Sequence, residues 1–192
     1  DKKEVRARFA EKYQFDPNKL IVGYFSGDWD EDVNYKLFKF FSQVLAHDIQ
    51  VYVKIRPNRN HSRQHKKWLA KLASNRHIPV IVDMNVSEFF WASDVIVTDF
   101  SGAGAEALLF DNASVLLDIY EFMQLKELSY YNDCVVVKTA QELDSFFKKI
   151  IDEPAYLASL KKEGLVNARK HFFQHSVGSS NQFIAKNIME EI

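Results

Sequence analysis

Short apolar, β-branched runs recur along the chain and alternate with stretches whose apolar residues fall at helical spacing. The runs at Leu20 to Phe25, Gln50 to Ile55, Pro79 to Val82, Val95 to Val97, Val115 to Asp118 and Cys134 to Val137 predict strands, several of them apolar enough to be buried on both faces. Helix-period segments lie between them at Val33 to Ala46, Ser62 to Ala73 and Ala103 to Phe110. Two capping-box patterns mark helix starts. Asn85-Val86-Ser87-Glu88 opens a short helix into Phe89, Phe90 and Trp91, and Thr139-Ala140-Gln141-Glu142 opens one running to about Ile151. A charged helix at Lys2 to Tyr13, broken by Asp16-Pro17-Asn18, leads in, and helices near Ala155 to Phe172 and Val177 to Glu191 close the chain. This βαβ rhythm predicts an α/β fold, a doubly wound, mainly parallel, Rossmann-like sheet flanked by helices, with ligands bound outside the carboxyl ends of the strands. Residues 1–19 form a lead-in helix and linker in this reading, and residues 20–192 one domain.

Composition narrows the field. The chain has 192 residues, 47% hydrophobic and 14% aromatic, enough for a sizeable core and against disorder. Twenty-five basic and 26 acidic residues give a net charge of −1, so nothing attracts nucleic acid or anionic lipid globally, and any anion site must be local. One cysteine, Cys134, excludes an internal disulfide and a cysteine-based zinc site, and its place beside Val135-Val136-Val137 predicts a buried thiol. No apolar run reaches the ~20 residues needed to span a bilayer. The single cysteine fits a reducing cytoplasm, and the expected location is cytoplasmic, or peripheral at the inner face of the cell membrane. The chain opens on Asp1 rather than Met and is expected to be part of something longer.

Chemistry concentrates in Ser93 to Asp118. A β-branched strand ends at Thr98-Asp99, and Ser101, Gly102 and Gly104 occupy the crossing into an apolar helix. Small residues there let a ligand approach the backbone, unpaired N–H groups favour an anion, and Ser101 adds a hydroxyl. Glu106 lies about one helical turn further on, placed to accept from ribose hydroxyls while phosphates sit at the turn. The same residue types equally allow tight strand-to-helix packing with Glu106 on a solvated face.

This stretch resembles the donor-binding region of GT-B nucleotide-sugar transferases, most of all the CDP-glycerol glycerophosphotransferases of teichoic-acid and capsule synthesis. Their aspartate, hydrophobic strand and Thr-Asp-Tyr-Ser-Ser are matched here by Asp94, Val95 to Val97 and Thr98-Asp99-Phe100-Ser101-Gly102. A Lys-X-Arg/His-Pro turn at Lys54-Ile55-Arg56-Pro57, an aspartate at Asp83 and the segment Val135 to Leu143 resemble the family in the same order. The family usually has histidine where Arg56 stands, while Gly102 with Glu106 is more similar to the Ser-Gly-x-x-x-Glu of UDP-sugar enzymes, including the nonhydrolysing UDP-GlcNAc 2-epimerases.

The resemblance implies the C-terminal half of a GT-B transferase that binds CDP-glycerol, or alternatively a UDP-sugar, and acts on a polymer or glycolipid acceptor in cell-surface polymer synthesis. Arg56 and the Ser101 to Gly104 turn would hold the diphosphate, Glu106 the ribose, and the general base would lie on a preceding GT-B domain. No cofactor is implied. A nucleotide-binding or interaction module without catalysis is the reading from another class.

Other constellations carry less. Ser26-Gly27, after the first strand, can close on donor or acceptor, as can Asp99, though Asp28 to Asp32 also reads as an acidic helix start. Arg59, His61, Arg63 and His65 join Arg56 in a basic cluster that equally suits a solvated loop. His171 and His175 have helical spacing but no third ligand of motif quality, so no metal is expected. There is no Walker loop, no zinc-finger spacing and no Ser-His-Asp order, and Gly102-x-Gly104 lacks the third glycine of a dinucleotide fingerprint.

Overall fold

A computed structural model describes residues 2–25, 49–55, 70, 78–82, 84–99, 101–118 and 131–172. Six strands form one sheet: β1 (Ile21–Phe25), β2 (Gln50–Lys54), β3 (Val80–Ile81), β4 (Val95–Thr98), β5 (Ala113–Leu117) and β6 (Val135–Val137). Their order is β3-β2-β1-β4-β5-β6, and every pairing is parallel. This is the doubly wound arrangement expected from the sequence. The strand order reverses between β1 and β4, and the crevice at their carboxyl ends is where such sheets take ligands. The expected helices at Val33 to Ala46 and Val177 to Glu191, and all of Ser62 to Ala73 except Ala70, lie outside the described residues.

Alternation along each strand divides the core into two layers. Val22 and Tyr24 of β1, Val51 and Val53 of β2, and Val95 and Val97 of β4 face α4 (Ala140–Asp152) and α5 (Pro154–Phe172), through Leu143, Phe146, Phe147 and Ile150 of the former. The intervening Ile21, Phe25, Tyr52 and Ile96 face α1 (Lys2–Tyr13), α2 (Val86–Ala92) and α3 (Ala103–Leu108), where Phe9, Phe89, Phe90 and Ala107 complete the second layer. Phe9 packs tilted and Phe89 edge-on against Tyr52, with centroids 4.6 and 5.1 Å away.

Helix ends follow their sequence signals with one exception. Thr139 caps α4 in a complete capping box: its hydroxyl accepts from the Glu142 N–H, and the Glu142 carboxylate accepts from the Thr139 N–H. At α2 the box is only half made. The Asn85 side chain accepts from the Ser87 N–H, but Glu88 turns away to an ion pair with Arg8 at 2.7 Å. A salt-bridge partner on α1, 80 positions earlier in the chain, captures the carboxylate that local spacing assigned to the cap. Helix α1 stops before Asp16-Pro17, because Gln14 takes a left-handed conformation (φ 58°) and the Phe15 N–H bonds back to the Ala10 carbonyl.

The amino ends of β1 and β4 are tied by charge. Asp94 accepts from the Ile21 N–H at 3.0 Å, pairs with Arg6 of α1 at 2.9 Å and with Lys161 of α5 at 3.3 Å. Arg6 also donates to the carbonyls of Pro17, Lys19 and Ala92. Burial by itself would raise the Asp94 carboxyl, but Lys161, the Ile21 N–H and Arg6 outweigh it and hold the group below its ordinary value. A depressed carboxyl contributes stability that is present above its unfolded pKa, about 4, and lost as pH falls through the folded value. Urea melts from pH 6 down to pH 3 should therefore show stability declining below about pH 4, with Asp94→Asn flattening that decline. An unchanged slope in the variant would mean that other carboxylates dominate acid sensitivity.

Cys134 is half-buried as a residue, yet burial around its sulfur pushes the thiol up to about 11, against a weaker opposing contact from Ser114 Oγ at 3.4 Å. A thiol held so far from ionisation is a packing group.

Candidate functional site

A cleft of about 270 Å³ opens at the carboxyl edge of the sheet, between the starts of α2 and α3. Phe25 ends β1 and Lys54 ends β2 at its floor, Val86 stands on the α2 side, and Ser101, Gly102, Ala103 and Glu106 form the α3 side. The cleft thus adjoins the crossing from β1 to β4, as the topology requires.

The turn into α3 is built by Ser101. Its hydroxyl accepts from the Ala103 N–H at 3.2 Å and its carbonyl from the Gly104 N–H at 3.0 Å, so Ser101 is the working N-cap. Gly102 already has helical dihedrals, φ −54° and ψ −16°, and its carbonyl accepts from the Glu106 N–H at 3.0 Å. Part of the amide set expected to meet an anion is therefore engaged within the turn, and a ligand reaching the Ala103 N–H must displace the Ser101 hydroxyl. Ser101 itself is buried against the turn it caps.

Gly102 is a glycine the fold does not require. Its dihedrals suit any residue, and a Cβ placed on it meets nothing within 4 Å. Its bare surface faces the cleft. Gly104 is buried within α3 and is not among the residues that line the cleft. Glu106 is exposed on the cleft side of the same helix, four residues beyond Gly102.

Three of the residues singled out in the sequence line this cleft: Ser101, Gly102 and Glu106. Asp99 does not line it. It is buried beneath the turn, accepting from the Tyr24 hydroxyl at 3.4 Å across the β1–β4 crossing. Arg56, Ser26, Gly27 and Asp83, like the basic residues from Arg59 to His65, lie outside the described residues.

Lys54, named in the sequence only as the first residue of the Lys-X-Arg/His-Pro turn, is a lining residue that was given no role there. It is only 2% exposed, lines the cleft, and its ammonium lies 3.5 Å from the Val82 carbonyl of the neighbouring strand segment. The signal was present, a lysine closing an otherwise apolar strand, but a strand-end lysine reads by default as solvated.

Among the described residues no group of three His, Cys, Asp or Glu side chains could hold a metal ion, and no helix is long and apolar enough to cross a membrane.

No family model and no curated protein matches the chain by sequence. Solved structures do match its fold. HepE of Anabaena, in complex with UDP and glucose, superposes with a TM-score of 0.71 at 16% identity, over 97% of this chain and 52% of that one. The wall teichoic acid polymerase TagF, as its H444N variant, gives 0.64 at 14% identity, over 100% of this chain and 48% of that one. Sucrose-phosphate synthase of Thermosynechococcus elongatus gives 0.65 at 12% identity, over 99% and 51%. The chain spans about half the length of each, and its doubly wound sheet is one half of the GT-B fold those structures share.

Proposed function

We propose that this chain is the donor-binding half of a transferase that uses a nucleoside-diphosphate-activated donor in the synthesis of a cell-surface polymer, with CDP-glycerol as the first candidate. The observation that carries this reading is Gly102, left bare by a fold that has room for a side chain, at a cleft on the switch point of a doubly wound sheet. Such a surface suits close approach of phosphate oxygens. Glu106 on the adjoining helix is then the acceptor for ribose hydroxyls, and Arg56 and the Ser101 turn offset charge on the departing nucleotide. The acceptor, a polymer or glycolipid, and the general base belong to a second domain facing this one. The likeness to TagF, also solved after a soak with CDPG, supports the glycerol donor, and the Asp94 to Gly102 sequence supports it independently.

A UDP-sugar is the second reading. Gly102 with Glu106 favours it, as does the likeness to HepE, solved with UDP-glucose. The two differ in their chemistry. An acceptor hydroxyl that attacks the β-phosphorus of CDP-glycerol takes glycerol phosphate and releases CMP, whereas attack on the anomeric carbon of a UDP-sugar releases UDP.

Calorimetry with CDP and UDP, followed by turnover of CDP-glycerol and UDP-glucose by the full-length protein, tests the proposal. Preferential CDP binding and release of CMP are expected. Release of UDP would transfer the assignment to the sugar donor, and absence of binding to either nucleotide would leave an interaction module. Glu106→Gln should weaken nucleotide binding by about 1 to 2 kcal/mol, because an amide oxygen is a poorer acceptor than a carboxylate. The 2′-deoxynucleotide should then lose little further affinity in the variant, and an equal deoxy penalty in both proteins would remove Glu106 from the ribose.

A further inference from the structure

Lys54 ends β2 at the carboxyl edge of the sheet, in register with Phe25 of β1 on one side and Ile81 of β3 on the other. Its strand neighbour on the same face is Tyr52, fully buried among Phe9, Phe15 and Phe89. An apolar side chain would continue that packing, and confining an ammonium there has a desolvation cost of several kcal/mol. Lys54 nevertheless lines the cleft, its ammonium held by protein contacts that include the Val82 carbonyl. Glu106, exposed on α3, lines the same cleft. A cation and a carboxylate lining one cleft match the two halves of a ribose diphosphate, since phosphate oxygens accept from the ammonium and ribose hydroxyls donate to the carboxylate.

We infer that Lys54 is a diphosphate-binding residue of this cleft. The inference rests on the nucleotide reading given above and adds to it a cation among the described lining residues. An ammonium held at low exposure acts through a lower effective dielectric than a solvated one, and it is ordered before the ligand arrives. Lysine rather than arginine suits the position, because a compact point charge at a strand end can meet a phosphate oxygen without the width of a guanidinium fork.

The test compares uridine, UDP and inorganic pyrophosphate by calorimetry on wild-type, K54M and K54R full-length protein, with CD melts confirming that each variant is folded. In K54M, UDP and pyrophosphate should each bind roughly 10- to 100-fold more weakly, the loss of one charge-assisted hydrogen bond, while uridine binds as before. K54R should recover part of the loss. Folded K54M that binds UDP as tightly as wild type overturns the inference, and so does an equal loss for uridine. Should K54M not fold, the ammonium resonance of Lys54 in isotope-labelled wild-type protein decides. A shift with UDP and pyrophosphate but not with uridine upholds the inference, and no shift at saturating UDP overturns it. Wild-type protein that binds neither UDP nor CDP overturns the nucleotide reading itself. Lys54 is then upheld only if pyrophosphate binds and K54M abolishes it, and is overturned otherwise.

Discussion

Gly23→Val should leave the domain unfolded or barely folded. A Cβ at this position would stand 2.7 Å from Ser93 Oγ and 2.8 Å from the ring of Phe89, distances that no real side chain tolerates. Neither neighbour has somewhere to go. Phe89 is fully buried against Phe25, Tyr52 and Phe90, and Ser93 Oγ is bonded to the Phe89 carbonyl at 2.9 Å and to the Tyr52 hydroxyl at 2.7 Å. The missing side chain of Gly23 is thus the slot in which α2 lies on β1. Alanine there should cost about 1 to 3 kcal/mol by overpacking, and valine about 4 kcal/mol or more, a large part of a typical domain's 5 to 15. Strand propensity alone gives the opposite sign, because valine is a far better strand former than glycine. Urea melts followed by CD separate the two accounts, and a Gly23→Val protein as stable as its parent would show that α2 is not seated in this slot.

Gly102 should respond in the reverse sense. Its dihedrals are helical and the space beyond it is open, so Gly102→Ala removes freedom from the unfolded chain without a clash and should stabilise the protein by about 0.4 to 1 kcal/mol. The same methyl enters the cleft. Gly102→Val should go further, with its branched side chain holding a diphosphate away from the turn at a loss of roughly 1.5 to 3 kcal/mol in binding, or one to two powers of ten in Kd. Thermal melts and UDP or CDP calorimetry on the same two variants read both effects. A gain in Tm with binding unchanged would mean that the glycine is bare for no ligand's sake.

The two glycines show how far the sequence could be read. The strand at Leu20 to Phe25 was plain from its apolar run, but nothing local distinguishes a glycine that makes room for a helix far along the chain from one that merely weakens a strand. The sheet, the Thr139 capping box and the turn at Ser101 were legible because period-2 alternation, caps and glycine-rich crossings are short-range signals. What escaped was set by partners distant in the chain. Glu88 serves Arg8 rather than its own helix start, Arg6 and Lys161 converge on Asp94 from opposite ends of the chain, and Lys54 is enclosed by strands on both sides. The Ser101 hydroxyl, expected to serve a ligand, accepts from the Ala103 N–H, a capping role that spacing alone does not reveal.

The charged tie at Asp94 gathers α1, β1, β4 and α5 at the amino edge of the sheet, whereas Gly102, Glu106 and Lys54 open at the carboxyl edge. The two edges share strands but no side chains, so substitutions at the cleft and at the Asp94 tie should act independently on stability. A library that randomises the exposed positions 102 and 106 should therefore lose few members to misfolding, and under the proposed function selection among them would act on nucleotide preference. One that randomises 6, 94 and 161 should be dominated by whether the chain folds at all, whichever donor is offered.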